Sequence, residues 1–293
     1  MLLGDFLKKG ISRLESLYPT PEARDILLTL LESRLGIGRY TYATDPGYTI
    51  APDSQGILSG DLDKLASGEP LQYVLGYAWF FGRKFKVTPD VLIPRPETEI
   101  LCDEAIKIGS ATPSRILDLC AGSGCIAWTL AMEIPGSTVY GIDISEKALS
   151  VASGQNLFPE VDTSGHGRPD RPSPVFLQAD ILGEPPSFQG GKFDLIVSNP
   201  PYVMESQRKD MRPNVLDHEP GLALFVPDDD PLVFYKAVAR WSAELLTPEG
   251  VGIVEINDLL GEETKDVFLT AGFSQVEILN DFSGKNRFVK FLK

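Results

Sequence analysis

From residue 1 to 76, apolar residues recur three and four positions apart, as in Ile26, Leu27, Leu30 and Leu31 behind Pro21 and Glu22, with proline or glycine between segments. That spacing lines one face of each segment with apolar side chains and predicts a small helical bundle. The stretch YAWFFGRKFKVTPDVLI then alternates aromatic or aliphatic with polar residues around Gly82, the pattern of a hairpin and linker over 77–96. From Glu97 onward the pattern changes again. RILDLCAG, TVYGIDIS, VFLQAD, FDLIVSNPPY and VGIVEIN are nearly unbroken apolar runs, and helical stretches beginning near Cys125 and Glu146 and spanning Leu232 to Leu245 alternate with them. Strands apolar on both faces need helices on both faces, so 97–293 is expected to be an α/β, doubly wound, mostly parallel sheet of Rossmann-like form. VEILNDF and RFVKFL are separated only by SGKN, too short for a helical crossover, which predicts one antiparallel strand in the edge region. Residues 163–174, TSGHGRPDRPSP, lack apolar anchors and read as a surface loop.

Composition narrows the partners rather than the fold. With 293 residues the chain is long enough for one large core and a smaller domain. A formal net charge of −14 argues against binding a phosphate backbone, which depends on clustered Lys and Arg releasing counterions. Cys102, Cys120 and Cys125 are too few and too irregularly spaced for a disulfide framework and sit among apolar neighbours, as buried thiols do in a reducing compartment. No apolar run is long enough to span a membrane, and the amphipathic start carries Asp5 and Glu15. The expectation is a cytoplasmic monomer without a cleaved leader. His166 and His218 lack metal-ligand spacing and are expected at the surface, so no metal is assigned.

The residues that carry chemistry gather at strand ends, where ligands of open parallel sheets sit. ILDLCAGSGC places Gly122 and Gly124 in the turn between the first strand and its helix, where a missing Cβ lets a ligand lie against backbone. Asp143, Asp180 and Asn199 close the next three strands. Gly122-Ser123-Gly124 with Asp143 about 20 residues on also fits a dinucleotide fingerprint. Asp118, just ahead of the turn, would repel a pyrophosphate and suits a ligand bearing an ammonium and a sulfonium, which favours S-adenosyl-L-methionine. On that reading Cys120, Ala121, Gly122, Ser123 and Gly124 cradle the methionine portion, Asp143 accepts from the ribose hydroxyls and Asp180 accepts from the adenine amino group. No Gly-Lys-Ser or Gly-Lys-Thr follows the turn, which excludes a phosphate-binding loop of the triphosphatase type.

SNPPY, 198–202, ends the strand FDLIVS in a stiff loop, because Pro200 and Pro201 cannot donate to a sheet ladder. A planar NH2 group is a poor nucleophile with two N–H donors. The Asn199 side-chain oxygen and the Pro200 carbonyl offer two rigid acceptors that would pin both hydrogens and aim the nitrogen at a sulfonium methyl. The Tyr202 ring would cover one face of that group and favour the developing positive charge.

With DLCAGSG, GIDIS, QAD and SNPPY in this order, the chain resembles class I S-adenosylmethionine-dependent methyltransferases whose NPPY loop methylates adenine or a glutamine amide. The stretch 71–101, with IPRPETE ahead of the glycine turn, is similar to the linker of the protein-(glutamine-N5) methyltransferases that modify the GGQ glutamine of peptide chain release factors. The resemblance implies methyl transfer to that glutamine, with S-adenosyl-L-homocysteine as product. It places Asn199, Pro200, Pro201 and Tyr202 in the glutamine pocket, Arg95, Pro96, Glu97 and Thr98 at its rim, and Asp118, Cys120 to Gly124, Asp143, Asp180, Ile181 and Asn199 around the cofactor. It also makes the helical domain the part that recognises substrate. CAGSG departs from the family's more usual glycine and threonine, which narrows the turn. The alternatives are an adenine-N6 methyltransferase acting on DNA or RNA, against which the acidity of the chain speaks, and a module that binds without catalysis.

Overall fold

The computed structural model describes residues 1–109, 114–157 and 173–293, so His166 and most of the polar segment 163–174 lie outside the described residues. The chain divides into two compact units, Met1–Tyr77 with Arg212–His218, and Ala78–Met211 with Glu219–Lys293.

The first unit is built on helices α1 (Leu3–Leu14), α2 (Thr20–Leu35), α3 (Thr41–Thr44), α4 (Pro52–Ala66) and α5 (Leu71–Leu75). The helical spacing of its apolar residues has the expected consequence. Leu3, Phe6, Leu14, Leu27, Leu30, Leu58 and Leu62 form one buried cluster. Arg34 locks α2 to its neighbours by donating to the Asp61 carboxylate at 2.7 Å and to the Val74 carbonyl at 2.7 Å.

The second unit starts with the hairpin strands β1 (Tyr77–Phe80, whose first residue the first unit includes) and β2 (Arg83–Lys86), then helix α6 (Pro96–Gly109). Strand β3 (Arg115–Leu119), helix α7 (Cys125–Glu133), strand β4 (Thr138–Asp143), helix α8 (Glu146–Ser153), and strands β5 (Val175–Gln178) and β6 (Phe193–Ser198) follow. Two short strands, β7 (Val203–Met204) and β8 (Phe225–Val226), pair in parallel, and α9 (Pro213–Leu216), which lies between them in sequence, falls in the first unit. Helix α10 (Val233–Leu245), strand β9 (Leu246–Glu255), helix α11 (Gly261–Thr270) and strands β10 (Ser274–Asn280) and β11 (Asn286–Leu292) complete it.

The main sheet has seven strands in the order β10-β11-β9-β6-β3-β4-β5. Only β11 runs against its neighbours, pairing antiparallel with both β10 and β9. The reversed strand therefore lies one position in from the edge, because a short turn returns β11 to fill the gap that β10 leaves beside β9. Two-sided burial is visible residue by residue. Ile116, Leu195, Ile253 and Phe288 pack with α6 and α7, whereas their successors Leu117, Ile196, Val254 and Val289 pack with α10 and α11. Alternate side chains of each strand thus feed two separate cores. The chain leaves β3 to build β4 and β5 on one side, then returns to build β6 and β9 on the other. That reversal opens a crevice at the carboxyl ends of β3, β4 and β6.

Candidate active site

The glycine turn is held from three directions. The Ala121 amide donates to the Ile142 carbonyl at 2.8 Å, the Gly122 amide to Asp143 Oδ2 at 2.8 Å, and Gln155 Nε2 to the Ser123 carbonyl at 2.9 Å. Cys120 and Gly122 adopt left-handed backbone with φ of 63° and 54°. At Gly122 a Cβ would meet no atom within 4 Å, so this backbone faces open space, whereas at Gly124 it would come within 2.9 Å of the Phe176 ring. The first glycine leaves room beside the cleft and the second lets α7 start close against the sheet. Cys120, in the place where glycine is conformationally cheapest, carries left-handed strain of about 1–3 kcal/mol.

Asp143 spends one oxygen on each of two backbone amides, with Oδ1 accepting from Ser145 at 2.8 Å. Burial pushes its carboxyl above the usual range, against the pull of the Ser145, Gly122 and Ile144 amides. Each oxygen keeps a second lone pair for a ligand. Asp180 stands two residues beyond the end of β5, is exposed, and accepts from the Leu182 amide at 2.8 Å.

At the end of β6 the arrangement has a direction. The Thr98 hydroxyl donates to Glu255 Oε2 at 2.8 Å, and Asn199 Nδ2 donates to Thr98 Oγ1 at 3.1 Å. The Tyr202 hydroxyl donates to the other Glu255 oxygen at 3.0 Å. Glu255 is 1% exposed, and burial raises its pKa although Thr98 and Tyr202 pull it down. Burial likewise pushes the Tyr202 phenol well above its ordinary range, helped by the Glu255 charge. Nearby, Arg95 donates to Glu219 Oε1 at 2.6 Å, while Glu219 Oε2 accepts from the Ile93 amide at 3.1 Å.

Part of this set borders one cleft of about 1170 Å³ counted to its open mouth. Of the residues singled out in the sequence, Arg95, Thr98, Cys120, Ala121, Gly122, Ser123, Asp143, Asp180, Ile181, Asn199 and Pro201 line it. Gly124 lies beneath the turn and Pro200 is buried behind Asn199. Tyr202 is partly buried beside the core, its ring fixed by Glu255. Two residues are placed otherwise than expected. Asp118 is fully buried below the turn, where Oδ2 accepts from the Ala127 amide at 3.1 Å and Oδ1 has no partner among the described residues, and burial pushes its carboxyl well above the ordinary range. It belongs to β3, whose side chains are covered on both faces. Glu97 is exposed on the first turn of α6, because one residue before Thr98 on a helix points away from the face that Thr98 occupies. The sequence reading missed Glu255 and Glu219, which hold Thr98, Tyr202 and Arg95 from behind, and the apolar lining of Ile144, Leu182, Leu222 and Phe234. A lone acid inside the apolar run VGIVEIN was the available signal for Glu255. Among the described residues no group of three or more His, Cys, Asp or Glu is placed to hold a metal, and His218 is half-buried near Gly68.

A seven-stranded sheet with its reversed strand next to the edge, and a glycine turn and acidic strand ends around one cleft, define a class I methyltransferase fold. Residues 98–216 match the family described as methyltransferase small domain, and residues 5–76 match the PrmC N-terminal domain. The chain belongs to the release factor glutamine methyltransferase family. It is 38% identical over 274 residues to the release factor glutamine methyltransferase of Bacteroides thetaiotaomicron, covering 94% of both chains. With that of Flavobacterium psychrophilum it shares 35% identity over 296 residues, covering 99% of both. A solved release-factor-specific protein-(glutamine-N5) methyltransferase from Alicyclobacillus acidocaldarius is 26% identical with a TM-score of 0.41, covering 71% of this chain and 99% of that one.

Proposed function

We propose that this chain transfers a methyl group from S-adenosyl-L-methionine to the side-chain amide nitrogen, N5, of the GGQ glutamine of peptide chain release factors, leaving S-adenosyl-L-homocysteine and a proton. One observation carries the reading: Asn199 lines the cleft with its amide nitrogen turned to Thr98, which leaves Oδ1 as an acceptor for a ligand. An acceptor there suits a substrate that offers an NH2 group.

The cleft fits the cofactor. Gly122 presents bare backbone to open space, Asp143 and Asp180 offer acidic oxygens, and Ile144, Ile181, Leu182 and Leu222 provide apolar cover for a planar ring. When bound, S-adenosyl-L-methionine supplies an electrophilic methyl on a positively charged sulfur. On this reading Cys120 to Gly124 hold the amino-acid end, Asp143 accepts from the ribose hydroxyls and Asp180 accepts from the adenine amino group, while Asp118 supports the turn from below. Asn199 Oδ1 and the Pro200 carbonyl accept one amide hydrogen each and turn the nitrogen toward the methyl. These fixed dipoles stabilise the charge that develops on nitrogen, and the alkylated nitrogen sheds its proton to water without a dedicated base. The Tyr202 ring, held by Glu255, covers the planar amide. Arg95 and Thr98 border the entry for the glutamine.

The helical unit is read as the part that recognises the release factor. We further infer a cytoplasmic monomer that does not bind nucleic acid directly, consistent with the net charge of −14. Incubation with methyl-labelled cofactor and a purified release factor tests the function. Label is expected in the factor and absent when its GGQ glutamine is replaced by alanine. Label found in adenine-containing DNA or RNA instead would transfer the reading to an adenine-N6 methyltransferase.

A further inference from the structure

We propose that Glu255 is a positioning residue for methyl transfer: acting through Thr98, it dictates that Asn199 presents its oxygen, not its NH2 group, to the substrate. The inference rests on the glutamine methyltransferase reading above.

A side-chain amide is nearly symmetric in shape, and its terminal torsion is broad and two-fold, so packing alone does not choose between oxygen and nitrogen. For this reaction the choice is decisive. A flipped Asn199 would set its own N–H donors against those of the substrate amide, and one of the two acceptors that orient the nitrogen would be gone. Hydrogen-bond direction settles the question. Thr98 has a single hydroxyl hydrogen, and that hydrogen is committed to Glu255 Oε2 at 2.8 Å. Its oxygen keeps only lone pairs for Asn199, at 3.1 Å, so the group facing it has to be the donor, Nδ2. The oxygen is then left for the cleft.

The acid itself is placed where stability would not put it. Glu255 is the last residue of β9, opposite Phe288 of β11, is 1% exposed, and makes no ion pair among the described residues. The guanidinium of Arg287 pulls its pKa down from a distance while donating to Asp281 instead. A buried carboxyl without a paired cation opposes folding, and an apolar residue of similar volume is commonly as stable or more so. Its two oxygens reach the two ends of the same loop, Asn199 through Thr98 and Tyr202 directly. As a carboxylate it accepts at both oxygens and thereby sets the polarity at both.

The test is a mutant cycle on turnover with a purified release factor and labelled S-adenosyl-L-methionine, with S-adenosyl-L-homocysteine binding measured on every variant. Thr98→Val keeps the shape of the side chain and removes both hydrogen bonds. Its kcat is expected to fall about 10- to 100-fold, the scale of misplacing a group that orients a reacting atom, with cofactor affinity unchanged. Thr98→Ser, which retains the hydroxyl, is expected to restore kcat. In an Asn199→Ala background the Thr98→Val change should add less than about twofold, since there is no amide left to orient. Glu255→Leu should lower kcat at least as far as Thr98→Val, and without Asn199 it should lose the part of its effect that runs through Thr98 and keep the part that runs through Tyr202. A Thr98→Val enzyme with wild-type kcat, or effects that multiply fully with Asn199→Ala, overturn the proposal. A wild-type chain that fails to label the GGQ glutamine overturns the function itself, a result separate from either.

Discussion

Replacing Asp143 by asparagine changes one atom of the cleft and tests whether this carboxylate holds the ribose. In the folded chain Oδ2 accepts from the Gly122 amide and Oδ1 from the Ser145 amide, each at 2.8 Å, so both oxygens face backbone donors before any ligand arrives. Asparagine has one acceptor oxygen, and its NH2 group must then confront one of those two N–H groups. If the ribose hydroxyls donate to the remaining lone pairs, the variant loses one hydrogen bond to a charged acceptor and weakens the other from charged to neutral. The first loss is about 1.5–3 kcal/mol and the second about 0.5–1 kcal/mol, together about 2–4 kcal/mol, or roughly 30- to 700-fold in affinity. Calorimetric titration of wild type and Asp143→Asn with S-adenosyl-L-homocysteine reads this directly. A ligand analogue lacking one ribose hydroxyl adds a control, since it should bind wild type more weakly and lose less on the substitution. A folded Asp143→Asn protein that binds the intact ligand within about threefold of wild type would refute the assignment.

Three further outcomes follow from the packing around the cleft. Asp118 has a pKa raised by burial, so its contribution to stability is fully present below the ordinary carboxylate range and is lost as pH rises through the folded-state value. Asp118→Asn removes that loss, and its melting temperature relative to wild type should climb as pH rises from the ordinary carboxylate range, whereas a constant difference would contradict the buried Oδ1 that lacks a partner among the described residues. Gln155 accepts from the Lys86 amide at 2.8 Å and donates to the Lys86 carbonyl at 3.0 Å and the Ser123 carbonyl at 2.9 Å. Gln155→Ala should therefore cost about 2–4 kcal/mol in denaturant unfolding and speed hydrogen exchange at β2, with unchanged exchange there counting against the link. In Gly252→Ala the new methyl would fall 2.0 Å from the Phe291 ring of β11, an overpacking expected to cost about 1–3 kcal/mol by urea titration, and a neutral result would show that β11 yields easily.

Much of the fold was legible because burial leaves a local trace. A strand covered on both faces must be apolar throughout, so RILDL, TVYGID and FDLIVS declared themselves, and a chain break as short as SGKN declared its hairpin. Sheet order leaves no such trace. Nothing in RFVKFL says that it inserts between β9 and β10, because that depends on which neighbour has an unpaired edge once the other strands are in place. Asp118 stands next to the turn in sequence, and adjacency alone does not tell whether a side chain faces the ligand or the core. The structure buries that carboxyl, leaving Asp90, Asp143 and Asp180 as the acidic groups of the cleft wall.

Asn199 shows where local reading ends in principle. Two prolines explain why the loop is stiff, and an asparagine explains why it can offer an acceptor, but an amide carries donor and acceptor at almost the same radius. Which of them reaches the cleft is decided by Thr98, 101 positions earlier, whose hydroxyl is oriented in turn by Glu255, 157 positions beyond Thr98. The polarity of the pocket is therefore a property of the folded arrangement of α6, β6 and β9. A motif that keeps SNPPY but loses the acceptor at the end of β9 would retain the shape of the loop while nothing fixed which end of the asparagine amide faced the cleft.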